Sequence, residues 1–246
     1  MSSQQIPFGE LEAVFFDAGN TLVHWDHAFV ETCAAELGFV LDAARLARAE
    51  AAARPRLDRL LAAGRSTEAS DTMTAYLECM LDAGLAPEVG SQRRAHFVSQ
   101  LAAALRSPDG SDRLWSRVPA DIPESLARLR AAGLALVVVS NSDGSIERKL
   151  RDAGLRDLLD DVVDSALVGA EKPDPAIFRH ALARSGRVPH RTLHVGDLHA
   201  IDVVGAQRAG LHAVLLDPHG DWLEPPCAKF ADVGTVARVI LAARGE

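Results

Sequence analysis

Lysine is nearly missing from this chain of 246 residues: only Lys149, Lys172 and Lys229 occur, and the other 23 positive charges are arginines. Chemistry that needs an amine is therefore confined to three positions. Cysteine is equally scarce. Cys33, Cys79 and Cys227 are far apart, odd in number and without a C-x-x-C spacing or a histidine cluster, which excludes a disulfide framework or a zinc site and leaves small buried thiols. No run of about 18 uncharged apolar residues occurs, and residues 1–12 carry no basic stretch followed by an apolar one, so neither a membrane span nor a secretory leader is expected. Positive charge is the minority sign, 26 Lys+Arg against 34 Asp+Glu for a net charge of −8, and no basic run offsets it locally. A nucleic-acid backbone is an unfavourable partner for such a surface. The expectation is a soluble, cytoplasmic protein.

What is abundant is apolar side chain, 48% of the residues, enough for a large core. Five short apolar runs read as buried parallel strands: Leu11 to Phe16, Leu134 to Val139, Asp161 to Asp164, Thr192 to Val195 and His212 to Leu216. Segments of helical periodicity lie between them, from Ile122 to Ala132, Ser145 to Ala153, Pro175 to Ser185 and Ala200 to Ala209, each ending near a glycine. Alternating strand and helix predicts a doubly wound α/β sheet with a parallel, Rossmann-like core, residues 1–23 and 118–246. Residues 24–117 contain no strand-like run and read as an inserted α-helical domain. Helices are predicted there from Asp26 to Leu37, Asp42 to Ala63 with a break at Pro55, Glu68 to Ala83 and Pro87 to Arg106, with breakers at Gly38, Gly64, Gly84 and Pro108. Their apolar stripe reads as bundle core rather than a partner-binding face.

In an open α/β sheet, ligands bind beyond the carboxyl ends of the strands. The first strand delivers Asp17 into the turn Asp17-Ala18-Gly19-Asn20-Thr21, and the second ends in Ser140-Asn141-Ser142. The stretch Glu171-Lys172-Pro173-Asp174-Pro175 follows the third, and the fourth ends in Gly196-Asp197, with Asp202 five residues further. These residue types suit a phosphate ester. A carboxylate can attack phosphorus. Asp17 and Asp197 offer hard oxygens to Mg²⁺. Ser140, the N–H groups after it and the Lys172 ammonium can hold the transferring oxygens. Asn141 and Ser142 either bind phosphate or close the turn, Asp174 caps the helix opening at Pro175, and His194 reads as a core residue.

In this order the four motifs resemble the haloacid dehalogenase superfamily, in the subclass whose helical cap is inserted after the first motif, and the resemblance covers nearly the whole chain. It implies a hydrolase, most simply a Mg²⁺-dependent phosphatase of a small phosphorylated metabolite. Asp17 is then the nucleophile, carried through an aspartyl-phosphate, and Ser140 the second-motif hydroxyl. Lys172 is the third-motif cation that, with Ser140 and Asn141, binds phosphate. The metal falls to Asp17, the Gly19 carbonyl and Asp197, with Thr21 and Asp202 supporting from behind.

One position departs from that pattern. Phosphatases of the superfamily carry a second Asp two residues after the nucleophile as general acid and base, and here that position is Gly19. His24 and His199 are candidate surrogates, since imidazole titrates near neutrality. The superfamily's dehalogenases also lack this Asp, but they carry Tyr there and no metal-type carboxylate pair. Its phosphonate hydrolases use a cap lysine, and residues 24–117 contain none. A third alternative is a regulatory or scaffold protein that binds phosphate and metal without turnover.

Overall fold

The computed structural model describes residues 6–85, 90–223 and 227–246. The chain divides into two compact units, residues Met1–Val23 with Val118–Glu246, and His24–Arg117. Among the described residues no helix is long and apolar enough to cross a membrane.

Strand β1 (Ala13–Phe16) is buried at all four positions. After it the chain enters the helical unit, built from α1 (His27–Glu36), α2 (Ala43–Ala62), α3 (Thr72–Met80), α4 (Ser91–Arg106) and α5 (Pro108–Leu114). Asp26 and Asp42 cap α1 and α2 by accepting the N–H of Phe29 and Arg45. The break expected at Pro55 is absent: α2 runs on through it. Losing one backbone bond at a proline is offset where an amphipathic helix is held along its length, and Leu46, Leu57 and Leu61 are buried on one side of α2. The helix expected from Glu68 starts only at Thr72, because Ser66 folds the preceding residues into a turn, accepting the Glu68 N–H on Oγ and the Thr72 hydroxyl on its carbonyl. Pro108, read as a breaker, instead opens α5 at its first turn, behind the Ser107 cap that accepts the Gly110 N–H. The start expected at Pro87 lies outside the described residues, and α4 begins at Ser91.

The chain then returns to the sheet. Helix α6 (Ile122–Ala131) leads into β2 (Ala135–Ser140), followed by α7 (Ile146–Asp152), β3 (Asp161–Asp164), α8 (Ser165–Val168) and α9 (Pro175–Ser185). Next come β4 (Thr192–Gly196), α10 (Val204–Arg208), β5 (His212–Leu216), β6 (Ala228–Phe230) and α11 (Val233–Arg244). Among the described residues the sheet has six strands in the order β3-β2-β1-β4-β5-β6, all pairs parallel. It is an α/β, Rossmann-like fold.

Alternation puts Ala13, Phe15, Ala135, Val137 and Val139 in one cluster with Ile177, Phe178, Ala181 and Leu182 of α9 and Ala206 of α10. The intervening Val14, Phe16, Leu136 and Val138 are equally buried, so the central strands bury both faces, and α6 packs on β2 and α11. Burying one such side chain stabilises by about 1.5–3 kcal/mol, which fixes register along β1 and β2. Parallel register aligns the carboxyl ends of β1, β2 and β4 on one edge. Of the thiols, Cys33 and Cys79 are buried as expected, whereas Cys227 is half-buried.

Candidate active site

Asp17 leaves β1 with its N–H donated to the Val195 carbonyl of β4, an extension of the strand pairing by one residue. The turn behind it is held by backbone: the Ala18 carbonyl accepts from the N–H groups of Thr21, Leu22 and Val23. Asn20 takes a left-handed conformation, φ 53°, and its N–H reaches the Val23 carbonyl. Thr21, expected to support the site from behind, does not do so through its hydroxyl, which is buried without a hydrogen bond; the turn is closed by main chain instead.

Lys172 arrives from the loop between α8 and α9. Asp174 ends that loop by capping α9, accepting the Ala176 N–H at 2.8 Å. Asn141, at the end of β2, holds the loop's other side: its Oδ1 accepts the Lys172 N–H at 2.7 Å and its Nδ2 donates to the Lys172 carbonyl at 2.9 Å. The Asn141 side chain is thus engaged in placing Lys172. The ammonium of Lys172, 2% exposed, donates to Asp17 Oδ1 at 2.6 Å and to Asp202 Oδ1 at 2.8 Å.

Asp202 lies in the turn of residues His199–Val203 that follows Asp197. Its Oδ2 accepts the Leu198 N–H at 3.0 Å, and its Oδ1 also meets His194 Nε2 at 3.0 Å. Asp202 packs so closely over β4 that a Cβ on Gly196 would fall 2.2 Å from Asp202 Cγ. Only glycine fits there. One oxygen from each of Asp17, Asp197 and Asp202 lies within 4.8 Å of the others. Ser140 is buried at the same edge, its hydroxyl 3.3 Å from the Asn141 carbonyl.

Two carboxylates, Asp17 and Asp202, share one ammonium in a buried site, and the electrostatics are divided unequally. Burial pushes Asp17 up, Lys172 opposes this, Asp202 adds to it, and the carboxyl reaches about 6. Burial acts on Asp202 too, but Lys172 and His194 outweigh it and hold that carboxyl well below the usual range. For Lys172, burial lowers and the two carboxylates raise, with the carboxylates prevailing. The donor set suits a hard divalent cation: oxygens only, an excess of negative charge, and an Asp17 carboxylate whose ionised form a cation would favour. Asp202 is engaged on both oxygens, by Lys172 and His194 on Oδ1 and by the Leu198 N–H on Oδ2.

The two histidines singled out as surrogate acids part company. His199 opens the turn two residues after Asp197, half-buried, and that burial lowers its pKa. His24 belongs to the helical unit, where its N–H and carbonyl pair with those of Arg117 at 2.7 and 3.2 Å. The Ser142 N–H, counted among the phosphate donors, is taken by Ser165 Oγ at 3.0 Å.

Two residues were missed. His194 is not merely core, since it touches Asp202. Asp164, at the end of β3, accepts from the N–H groups of Gly144, Ile146 and Ala166 and so anchors the loop after Ser140. An Asp closing a strand just before a Ser was the available signal.

Residues 11–210 match the family model for haloacid dehalogenase-like hydrolases. The haloacid dehalogenase-like hydrolase domain-containing protein 3 of Mus musculus is 45% identical over 92 residues, 37% of each chain. A phosphoserine phosphatase of Thermus thermophilus is 39% identical over 118 residues, 48% of this chain and 47% of that one. The matched segments thus span less than half of these relatives' length. Among solved structures, a 2-haloacid dehalogenase from Pseudomonas syringae pv. Tomato superposes with a TM-score of 0.54 at 24% identity, over 94% of this chain and 98% of that one, a likeness of fold. With a model match across most of its length, this chain belongs to the haloacid dehalogenase-like hydrolase family.

Proposed function

We propose that this chain is a Mg²⁺-dependent phosphatase of a small phosphorylated metabolite, working through an aspartyl-phosphate on Asp17. The observation that carries the reading is the buried Asp17 carboxylate, 2.6 Å from the Lys172 ammonium and grouped with Asp197 and Asp202. The phosphatase name of the Thermus thermophilus relative supports the substrate class. The helical unit, His24–Arg117, is taken as the cap domain inserted into the core.

In this mechanism an Asp17 oxygen forms a bond to phosphorus while the phosphorus–oxygen bond to the leaving group breaks, its electron pair going to the leaving oxygen. Burial raises the Asp17 carboxyl above the ordinary carboxylate range, which keeps its ionised form basic enough to attack. The Lys172 ammonium and the Ser140 hydroxyl hold the transferring oxygens. Water then attacks phosphorus, the bond to Asp17 breaks, and inorganic phosphate leaves. Asp17, Asp197 and the Gly19 carbonyl would hold Mg²⁺, which supplies charge neutralisation between the carboxylates and an anionic substrate.

Gly19 offers no side chain to protonate the leaving oxygen, and a missing acid of this kind costs about 10²–10⁴ in rate. Acyl and aryl phosphates, whose leaving groups need little protonation, are the substrates that suffer least. Gly19 also favours a second reading, halide displacement by Asp17, because a halide leaves without a proton. The carboxylates grouped around Asp17 weigh against that reading. A purely binding protein, for its part, has no need of a nucleophile.

Phosphate release from p-nitrophenyl phosphate, acetyl phosphate and sugar phosphates, with and without Mg²⁺, tests the proposal. Mg²⁺-dependent turnover that disappears in Asp17→Asn supports it. Release that is the same in wild type and Asp17→Asn, or absent throughout, contradicts it.

A further inference from the structure

His194 is 0% exposed, in the middle of β4, where a valine or leucine would serve a purely apolar core. Burying an imidazole there costs polar desolvation that an aliphatic side chain would avoid. The return for that cost lies at Nε2. An ionised carboxylate only accepts, so the 3.0 Å contact makes Nε2 the protonated nitrogen, donating to Asp202 Oδ1. Its neighbours clamp the ring in this orientation. Phe178 packs on it edge-on, centroids 4.9 Å apart, and the strand register places it between Phe15 and Ala213.

From this we infer that His194 is a positioning residue, which fixes Asp202 Oδ1 so that the same oxygen holds the Lys172 ammonium against Asp17. Oδ1 accepts from both His194 and Lys172, while Oδ2 is tied to the Leu198 N–H and the side chain packs closely against Gly196. Without the imidazole, the Leu198 bond alone leaves the carboxylate able to pivot about its Cβ–Cγ bond, and Lys172 moves with it. Partners placed behind the reacting groups in this way typically contribute about 10–100-fold to activity. The turnover part of the inference rests on the phosphatase reading above, but the placement of Lys172 does not.

The scarcity of lysine supplies a test independent of turnover. Acetylation of the Mg²⁺-free protein with a water-soluble active ester, mapped by peptide mass, reports Lys172 against Lys149 and Lys229 as internal controls. In wild type, buried Lys172 reacts more slowly than the other two. His194→Leu and His194→Phe remove the donor while keeping an apolar packing group. They are expected to raise the Lys172 rate several-fold relative to both controls and to lower kcat about 10–100-fold. His194→Gln, whose amide N–H reaches the same point, restores both. Thermal midpoints of all three report whether each is folded. A Lys172 ratio that is unchanged in the Leu and Phe variants, or raised as much in the Gln variant, overturns the inference. No turnover in wild type together with the expected Lys172 pattern would overturn the phosphatase reading alone.

Discussion

The Lys172 ammonium donates to Asp17 at 2.6 Å, and its second hydrogen bond, 2.8 Å long, ends on Asp202. One cation thus joins the strand-end carboxylate of β1 to the turn after β4, across 155 and 30 residues of sequence. Replacing it leaves two buried carboxylates facing each other. Lys172→Met is expected to lose about 3–5 kcal/mol of stability in urea unfolding, since removing one partner of a buried pair strands the other, and to lose all measurable turnover. Unfolding midpoints equal to wild type would contradict this description of the site.

Gly19→Asp should restore a proton donor. Gly19 is not among the glycines of positive φ, so backbone conformation does not oppose a side chain there. The variant is expected to raise sugar-phosphate turnover about 10²-fold while changing p-nitrophenyl phosphate little, because only the poorer leaving group needs the proton. Steady-state rates on the two substrates check this. An equal effect on both would mean the missing acid is not what limits the slower one.

Gly196→Ala forces Asp202 off β4, because the new Cβ would overlap its carboxyl carbon at 2.2 Å. Displacing a group that places Lys172 by about 1 Å is expected to cost some 10² in kcat, with the fold retained. Far-UV circular dichroism and turnover, measured together, separate this from global unfolding.

The helical unit carries its own buried charge. Glu50 and Arg54 pair bidentately at 2.8 and 2.7 Å inside α2, and the Tyr76 hydroxyl donates to the same carboxylate. Burial pushes the Glu50 carboxyl up, but Arg54 and Tyr76 outweigh it and hold the group below its ordinary value. A carboxyl depressed on folding stabilises above its unfolded pKa, about 4.3, and that contribution is lost as pH falls through the folded value. Glu50→Gln is therefore expected to be less stable than wild type by about 3 kcal/mol at neutral pH, the difference shrinking below about pH 4. Urea curves at neutral and acid pH measure it, and a gap independent of pH would contradict the ion pair.

The sheet was legible because β1, β2 and most of β5 are short apolar runs buried along their length, a pattern readable in the order of the residues. Strand β6 was not. Ala228–Phe230 is a three-residue edge with two exposed positions, and it exists only by pairing with β5. Pro55 and Pro108 misled for a related reason: what a proline does depends on where in the helix it falls and on what holds the helix around it. At the site, the residue types at strand ends were readable, but their mutual bonds were not. Asn141 meets the Lys172 backbone across 31 residues, and His194 reads as a core residue until the turn at Asp202 folds back over it.

The most direct test of the account is the covalent state of Asp17 during turnover. Acetyl phosphate labelled on phosphorus, mixed with the Mg²⁺-loaded protein and quenched in acid within a single turnover, is expected to leave a hydroxylamine-labile label on the peptide containing Asp17. The same label should be absent from Asp17→Asn. Phosphate release at the wild-type rate with no label on that peptide, or with the label on another residue, would contradict the account.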